Sequence, residues 1–246
     1  MDIVSGIPKV IHYCWFGKKE KPDIVKKCIS SWESILTDYE LKEWNEDNFD
    51  IADVPYVHEA YNSGKFAFVS DYVRIRALYH FGGIYLDTDV EVLKPLDDFL
   101  HHESFWGFEQ GNYIATSTIG AKPNNELIKR FIDLYRVRSF IKEDGTSDVL
   151  TNVAMVTQMF KELGVQMDGT FQEIKDLGVC YPQAYFSPYD YINCINKKNE
   201  QTYTIHYYYK SWLPYQTRIK SSIKRGLAAL IGGENIYRLR RLMNNK

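Results

Sequence analysis

The spacing of apolar and polar positions changes several times along this chain, and each change marks an element. Ile7-Pro8-Lys9-Val10-Ile11-His12-Tyr13-Cys14-Trp15-Phe16-Gly17 is a mostly apolar run closed by glycine, which predicts a buried first strand. Pro22 suits the first turn of a helix whose Ile24, Cys28, Ile29 and Trp32 share one face. Positions 39–45 alternate like a second strand, and 55–62 read as a helix closed near Gly64. Ser70 is a good N-cap, with Asp71 in the first turn where the helix dipole favours negative charge. Val73, Ala77, Leu78 and Phe81 then recur at helical spacing, and Gly82-Gly83 ends the helix. Ile84-Tyr85-Leu86 is a short buried strand running into Asp87-Thr88-Asp89. Positions 90–94 continue as a strand up to Pro95.

This β-α-β-α-α-β order predicts an α/β fold with a mostly parallel sheet, in which ligands bind beyond the carboxyl ends of the strands. Trp15, Asn45 and the Asp87/Asp89 pair each fall just past a predicted strand end, so three stretches point at one crevice. Further on, 105–109 and 115–121 read as strands, and Asn124 or Asn125 caps a helix to about 135. A helix over 149–163 and a late strand over 202–208 follow. His12 is read as a structural anchor in the first strand. Glu109 and Asp148 are candidate carboxylates on the acceptor side.

Composition narrows the class. With 45% hydrophobic residues in 246, the chain has ample material for a core, as one large domain or one with an appendage. A net charge of -2 argues against nucleic acid as a partner. The four cysteines form no C-x-x-C pair, so free thiols are expected rather than zinc or a disulfide framework. Met1-Asp2-Ile3-Val4-Ser5-Gly6 does not read as a secretory signal, and no apolar run approaches ~18 residues. A cytoplasmic protein is expected. The 19 tyrosines suit sugar or nucleoside clefts as well as cores.

Charge is not even along the chain. From 216 to 246 there are eight Lys/Arg against one acid, Glu234, a net +7, while the remainder carries -9. Ile219, Ile223, Leu227 and Leu230 recur at helical spacing beside Lys220, Lys224 and Arg225, and Ile236, Leu239 and Leu242 repeat the pattern. The expected organisation is therefore a domain over 1–215 and a basic amphipathic helical tail over 216–246. Such a tail suits an anionic membrane surface, on the cytoplasmic face; a helix pair packed on the domain with a solvated basic face is the other reading.

Two carboxylates at the mouth of a buried strand, Asp87 and Asp89, lose hydration and repel each other. A divalent cation relieves both penalties, and their hard oxygens suit Mn²⁺ or Mg²⁺. Arg74 lies three residues from Asp71 and four from Ser70, on one helix face, so both polar groups reach towards one ligand.

Three blocks in this order resemble a known family: the 7–17 run, Ser70-Asp71-Tyr72-Val73-Arg74, and Gly82-Gly83-Ile84-Tyr85-Leu86-Asp87-Thr88-Asp89. They are similar to the DXD-containing glycosyltransferases of family 32. That group includes bacterial capsular and polysaccharide glycosyltransferases, and is similar to yeast initiating mannosyltransferases and clostridial glucosylating toxin domains. A lone D-x-D carries little information; the three blocks together are specific, and they cover roughly 7–100, with a weaker echo over 206–212. The resemblance implies a GT-A fold with helices on both faces of the sheet, a divalent metal (Mn²⁺ or Mg²⁺), a nucleotide-sugar donor and retention of anomeric configuration. By likeness, Trp15 stacks on the donor base with Cys14 beside it. Asp71 and Arg74, together with Ser70, hold the donor sugar. Asp87 meets the ribose and metal region, and Asp89 ligates the metal. His206, Ser211 and Trp212 resemble the closing segment that reaches metal and pyrophosphate, and Asn152 lies in a stretch that lines the sugar pocket. Asn45 is a nucleotide-side candidate or a turn residue.

The expectation is thus a hexosyltransferase using a UDP-sugar, with galactose slightly ahead, on a polyprenyl-diphosphate-linked saccharide in polysaccharide or capsule assembly. A protein acceptor or a non-catalytic nucleotide-sugar-binding module are the alternatives. A carboxylate-pair glycoside hydrolase fails on spacing, because Asp87 and Asp89 sit too close on one strand end to flank a glycosidic bond.

Overall fold

The computed structural model describes residues 6–209 and scattered positions between 223 and 241. The first apolar run forms β1 (Val10–Cys14), and Pro22 precedes α1 (Asp23–Ile35), whose Val25, Cys28 and Trp32 are buried. The alternating stretch is β2 (Glu40–Trp44), followed by α2 (Pro55–Asn62) and α3 (Phe66–Phe81). Then come β3 (Gly83–Leu86), β4 (Val90–Val92), β5 (Ser104–Glu109) and β6 (Tyr113–Ala121). The second half adds α4 (Glu126–Asp133), capped by the Asn125 side chain, and α5 (Asn152–Glu162), capped by Thr151. It closes with β7 (Gln172–Ile174), β8 (Gly178–Tyr181), α6 (Gln183–Phe186), β9 (Tyr189–Asp190), β10 (Ile195–Asn196) and β11 (Thr204–His206).

The main sheet runs β2-β1-β3-β6-β5-β8-β7. β2, β1 and β3 are mutually parallel, β6 opposes both β3 and β5, β8 is parallel to β5, and β7 is reversed. Five of the seven strands therefore share one direction, the mostly parallel α/β arrangement expected. Two apolar layers cover its faces. One is built on Val57, Val73, Leu78, Phe131 and Phe160 from α2, α3, α4 and α5. The other holds Cys28 and Trp32 of α1 together with Val90, Phe99 and Phe186. Outside the main sheet, β4 pairs antiparallel with β11 and β9 with β10.

The helix that carries Asp71 and Arg74 corrects one expectation. It begins at Phe66, so Ser70 is no cap: its Oγ donates to Phe66 O, one turn back inside the helix. The start is set by Gly64, at φ +66°, and by Phe66, Phe68 and Val69 packing inward. Asp71 lies in the second turn, and the dipole argument for its placement falls away. The helix end is as expected. Gly82 has φ +63° and Gly83 φ +100°, and a Cβ on Gly83 would stand 2.6 Å from Val10 O, so β3 is laid against β1 only by glycine there. His12 is the structural anchor anticipated. Trp44 Nε1 donates to its Nδ1 at 3.1 Å and its Nε2 lies 2.8 Å from Gly82 O, while burial pulls its pKa down to about 4.

Among the described tail positions, Lys224 donates to Tyr191 O and Ile192 O beside β9, and Ala228 is buried. Ile223 and Leu230 are exposed. The other apolar tail positions named above, along with Ser211 and Trp212, lie outside the described residues. Among the described residues no helix is long and apolar enough to cross a membrane.

Candidate functional site

Parallel strands β2, β1 and β3 end side by side, and their next residues are Asn45, Trp15 and Asp87. The Trp15 N–H donates to Trp44 O, and its Nε1 donates to Lys19 O at 2.6 Å. Its ring is partly exposed at the crevice, with Lys21 Nζ 5.8 Å from the centroid, so it is not a core residue. Asn45 is used by its own loop. Its Oδ1 accepts from Asp47 N, and its Nδ2 donates to Glu43 Oε1, the side-chain turn that favours Asn there. Cys14 is buried behind the crevice, and burial pushes its thiol up to about 12, so it offers no thiolate.

Arg74 is the hub. It is 4% exposed, and every arm of its guanidinium is taken. Nη1 donates to Thr116 O at 2.8 Å and lies 3.1 Å from Asp87 Oδ1, while Nη2 donates to Asp71 Oδ1 at 2.8 Å. Nε donates to Ser70 O, and the guanidinium lies 4.5 Å from the Tyr85 ring centroid. A buried cation so placed is stable only because two carboxylates face it. Burial alone would lower the Arg74 pKa, but Asp87, Tyr85 and Asp71 together raise it. Asp71 also accepts from Asn152 Nδ2 at 2.7 Å, which joins the start of α5 to α3. Burial, with Asp87 close by, lifts its carboxyl to about 6 against the pull of Arg74.

Asp87, Asp89 and His206 form the second group, with one ligand atom from each within 4.8 Å of the others. β11 delivers the histidine, since its pairing sets His206 opposite Val90. His206 Nε2 lies 3.4 Å from Asp89 Oδ1, and Tyr209 N donates to Asp89 Oδ2 at 2.6 Å. Tyr85 OH donates to Asp87 Oδ1 at 3.0 Å. Burial opposes charge on Asp89, yet His206 and the Tyr209 N–H hold its pKa below the usual carboxylate value. Burial likewise opposes charge on His206, and Asp89 and Asp87 overcome it. One atom is left over: His206 Nδ1 is buried with no hydrogen-bond partner among the described residues. Two hard oxygens and an imidazole suit Mn²⁺ or Mg²⁺, and an orphaned imidazole nitrogen beside them fits a cation.

Asp71, Arg74, Asp87, Asp89, Asn152 and His206 thus converge, with Trp15 at the same crevice end. Asp148 does not join them, being paired with Arg138. Tyr85 escaped the sequence reading. It lies two residues before Asp87 on a strand, on the same face, which is the signal that was there to use.

The description "Glycosyltransferase sugar-binding region containing DXD motif" matches residues 22–106. Inositol phosphoceramide mannosyltransferase 3 of Schizosaccharomyces pombe is 32% identical over 123 residues, 47% of this chain and 33% of that protein. The chain thus spans about a third of that relative's length. An uncharacterised glycosyltransferase of Acanthamoeba polyphaga mimivirus, L373, is 25% identical over 228 residues, 85% of each chain. Among solved structures, a glycosyltransferase involved in glycosylation of the major capsid of PBCV-1 aligns over 88% of this chain and 99% of that one, at 10% identity and a TM-score of 0.48.

Proposed function

We propose that the chain is a glycosyltransferase of the kind that carries a DXD-containing sugar-binding region, and that it moves a hexose from a nucleotide-sugar to a saccharide acceptor, with divalent-metal dependence and retention of configuration. The observation that carries this reading is the junction of two groups: Asp87 belongs both to the Asp87/Asp89/His206 cluster and to the Arg74 hub. Asp87, Asp89 and His206 would hold the cation. When bound, it neutralises the charge that builds on the diphosphate leaving group. Arg74 fixes the two carboxylates on either side of it. Asp71 and Asn152 hold the sugar-side wall, and the Trp15 face is open to a nucleobase. Retention by same-face transfer needs no protein nucleophile, because the departing phosphate takes the acceptor proton. Cys14, buried and protonated, does not compete for that role.

Our reading of the donor is a UDP-hexose. A panel of UDP-glucose, UDP-galactose, UDP-N-acetylglucosamine and GDP-mannose with Mn²⁺ tests it, with EDTA as the control. UDP release that EDTA stops is expected. Release of GDP alone would move the donor to mannose, in line with the names of the S. pombe relatives. Absence of release from every donor would sink the enzymatic reading.

The acceptor we favour is lipid-linked, as in polysaccharide or capsule assembly at the cytoplasmic membrane face. The basic stretch 216–246, net +7, supports a surface contact with anionic lipid. In liposome co-sedimentation the full chain should pellet with anionic vesicles, and a chain ended after Trp212 should stay in the supernatant. Equal pelleting of the two removes the tail from that role.

A further inference from the structure

The hairpin of β5 and β6 rises beside the Asp87 cluster. Ser117 O, in β6, accepts from Asp87 N, so that strand passes level with the acidic pair. Four residues back along β6 is Tyr113, about 13 Å further out at strand spacing. Tyr113 pairs with Glu109 across the hairpin and is 48% exposed, although it sits next to Ile114 and Ala115, which are fully buried. The chain leaving β11 comes to meet this tip. Tyr208 OH lies 3.5 Å from Glu109 Oε2, and its ring centroid is 3.9 Å from that of His206 and 4.5 Å from that of Tyr191. Tyr191 completes the group: after burial, the neighbours that raise its hydroxyl pKa are Glu109, Asp190 and Tyr113.

Two features separate this cluster from ordinary core. Tyr113 leaves half its surface in water beside a site that must admit a second substrate. Tyr208 has φ +51°, a left-handed conformation uncommon for a bulky aromatic residue, next to the Asp87/Asp89/His206 cluster. Aromatic faces matched to a carboxylate are the chemistry of carbohydrate binding. The apolar C–H face of a pyranose lies on the ring, and a hydroxyl donates to the charged oxygen, a stronger bond than one to a neutral group.

We propose that Tyr113, backed by the stacked Tyr191 and Tyr208 rings, forms a platform for a pyranose ring of the acceptor, with Glu109 accepting a hydrogen bond from one of its hydroxyls. The platform starts at His206 and runs outwards, so an acceptor sugar lying on it has its near end at the reaction centre. It rests on the glycosyl-transfer reading above, to which it adds the acceptor wall.

Saturation-transfer NMR on the full chain with diamagnetic Mg²⁺ and UDP tests it, using p-nitrophenyl β-glucoside, β-galactoside and α-mannoside as probes. Saturation of ring protons of at least one probe is expected. Tyr113→Phe should keep that signal, and Tyr113→Ala and Glu109→Gln should weaken binding about tenfold each. In the coupled assay, the ratio of transfer to donor hydrolysis should fall in the same two variants. No saturation of any probe by the native chain overturns the platform, and so does equal saturation in Tyr113→Ala and Glu109→Gln. The binding arm does not depend on turnover. A chain that hydrolyses no donor therefore fails the reading of the reaction, while the platform still stands or falls by NMR.

Discussion

Asp89→Ala is expected to abolish metal-dependent donor hydrolysis and transfer while leaving the folded state in place. Asp89 supplies one of the two carboxylates of the proposed cation site, and Asp87 cannot replace it, because Arg74 and Tyr85 already engage its Oδ1. A single carboxylate with His206 offers too few hard donors for Mn²⁺ or Mg²⁺, and the charge that develops on the leaving group would go unopposed. The loss should be about a thousandfold or more in kcat/KM. The structural cost is smaller. Asp89 Oδ2 accepts one backbone N–H, from Tyr209, a loss of about 1–2 kcal/mol, and its Oδ1 faces His206, which can shed its proton and stay neutral once the carboxylate is gone. A circular-dichroism melt within a few degrees of the native chain, beside absent product, is the expected pair of results. Native-like turnover that EDTA does not touch would falsify the metal role.

Arg74→Ala should be the most damaging substitution for stability. It removes the cation that lies between Asp71 and Asp87 and also leaves the Thr116 carbonyl without its donor. Breaking a buried pair in this way costs about 3–5 kcal/mol. Arg74→Lys should recover little of it, since an ammonium cannot span three acceptors in a fixed fork. The pH dependence has a definite sign. Asp71 titrates at about 6 in the folded chain against an ordinary 3.8, so between those values the folded state holds the extra proton. Its contribution to stability is therefore fully present below about pH 4 and is lost as pH rises through about 6. Without Arg74 the Asp71 carboxyl is harder still to ionise. Urea midpoints of Arg74→Ala at pH 5 and pH 8 should differ more than those of the native chain, with pH 5 the more stable. A smaller gap in the variant would show that Arg74 does not hold Asp71.

Much of the first half of the fold was legible because its signals are local. The strands at 10–14 and 40–44, the helix at 55–62 and the Gly82-Gly83 stop were marked by apolar runs, proline and glycine in short windows. The start of the Asp71 helix was misplaced because a serine that resembles a cap competes with a tertiary effect, the inward packing of Phe66 and Phe68. The Asp87/Asp89 pair announced itself at a strand end, and His206 entered only through resemblance. What brings that histidine to the pair is a three-residue pairing of β11 with β4, and nothing local in either stretch names the other. Asn152 is a similar case, placed by α5 packing on β6 rather than by any motif. The Tyr113, Tyr191 and Tyr208 group was invisible for a plainer reason. In a chain with 19 tyrosines, only the fold says which three share a wall.

The pairing of β11 with β4 ties Tyr209 to Asp89, 120 positions away in sequence. Closing so long a loop is slow compared with forming the helices, and a strand of three residues has little of its own to hold it down. Occupancy of the Asp87/Asp89/His206 cluster and docking of this strand are therefore linked equilibria. A cation that binds only the docked form stabilises it by mass action, in proportion to the logarithm of its concentration over its Kd. Under the metal-dependent reading proposed above, this short strand acts as a concentration gauge: the supply of divalent ion would set how much of the chain has the cluster assembled.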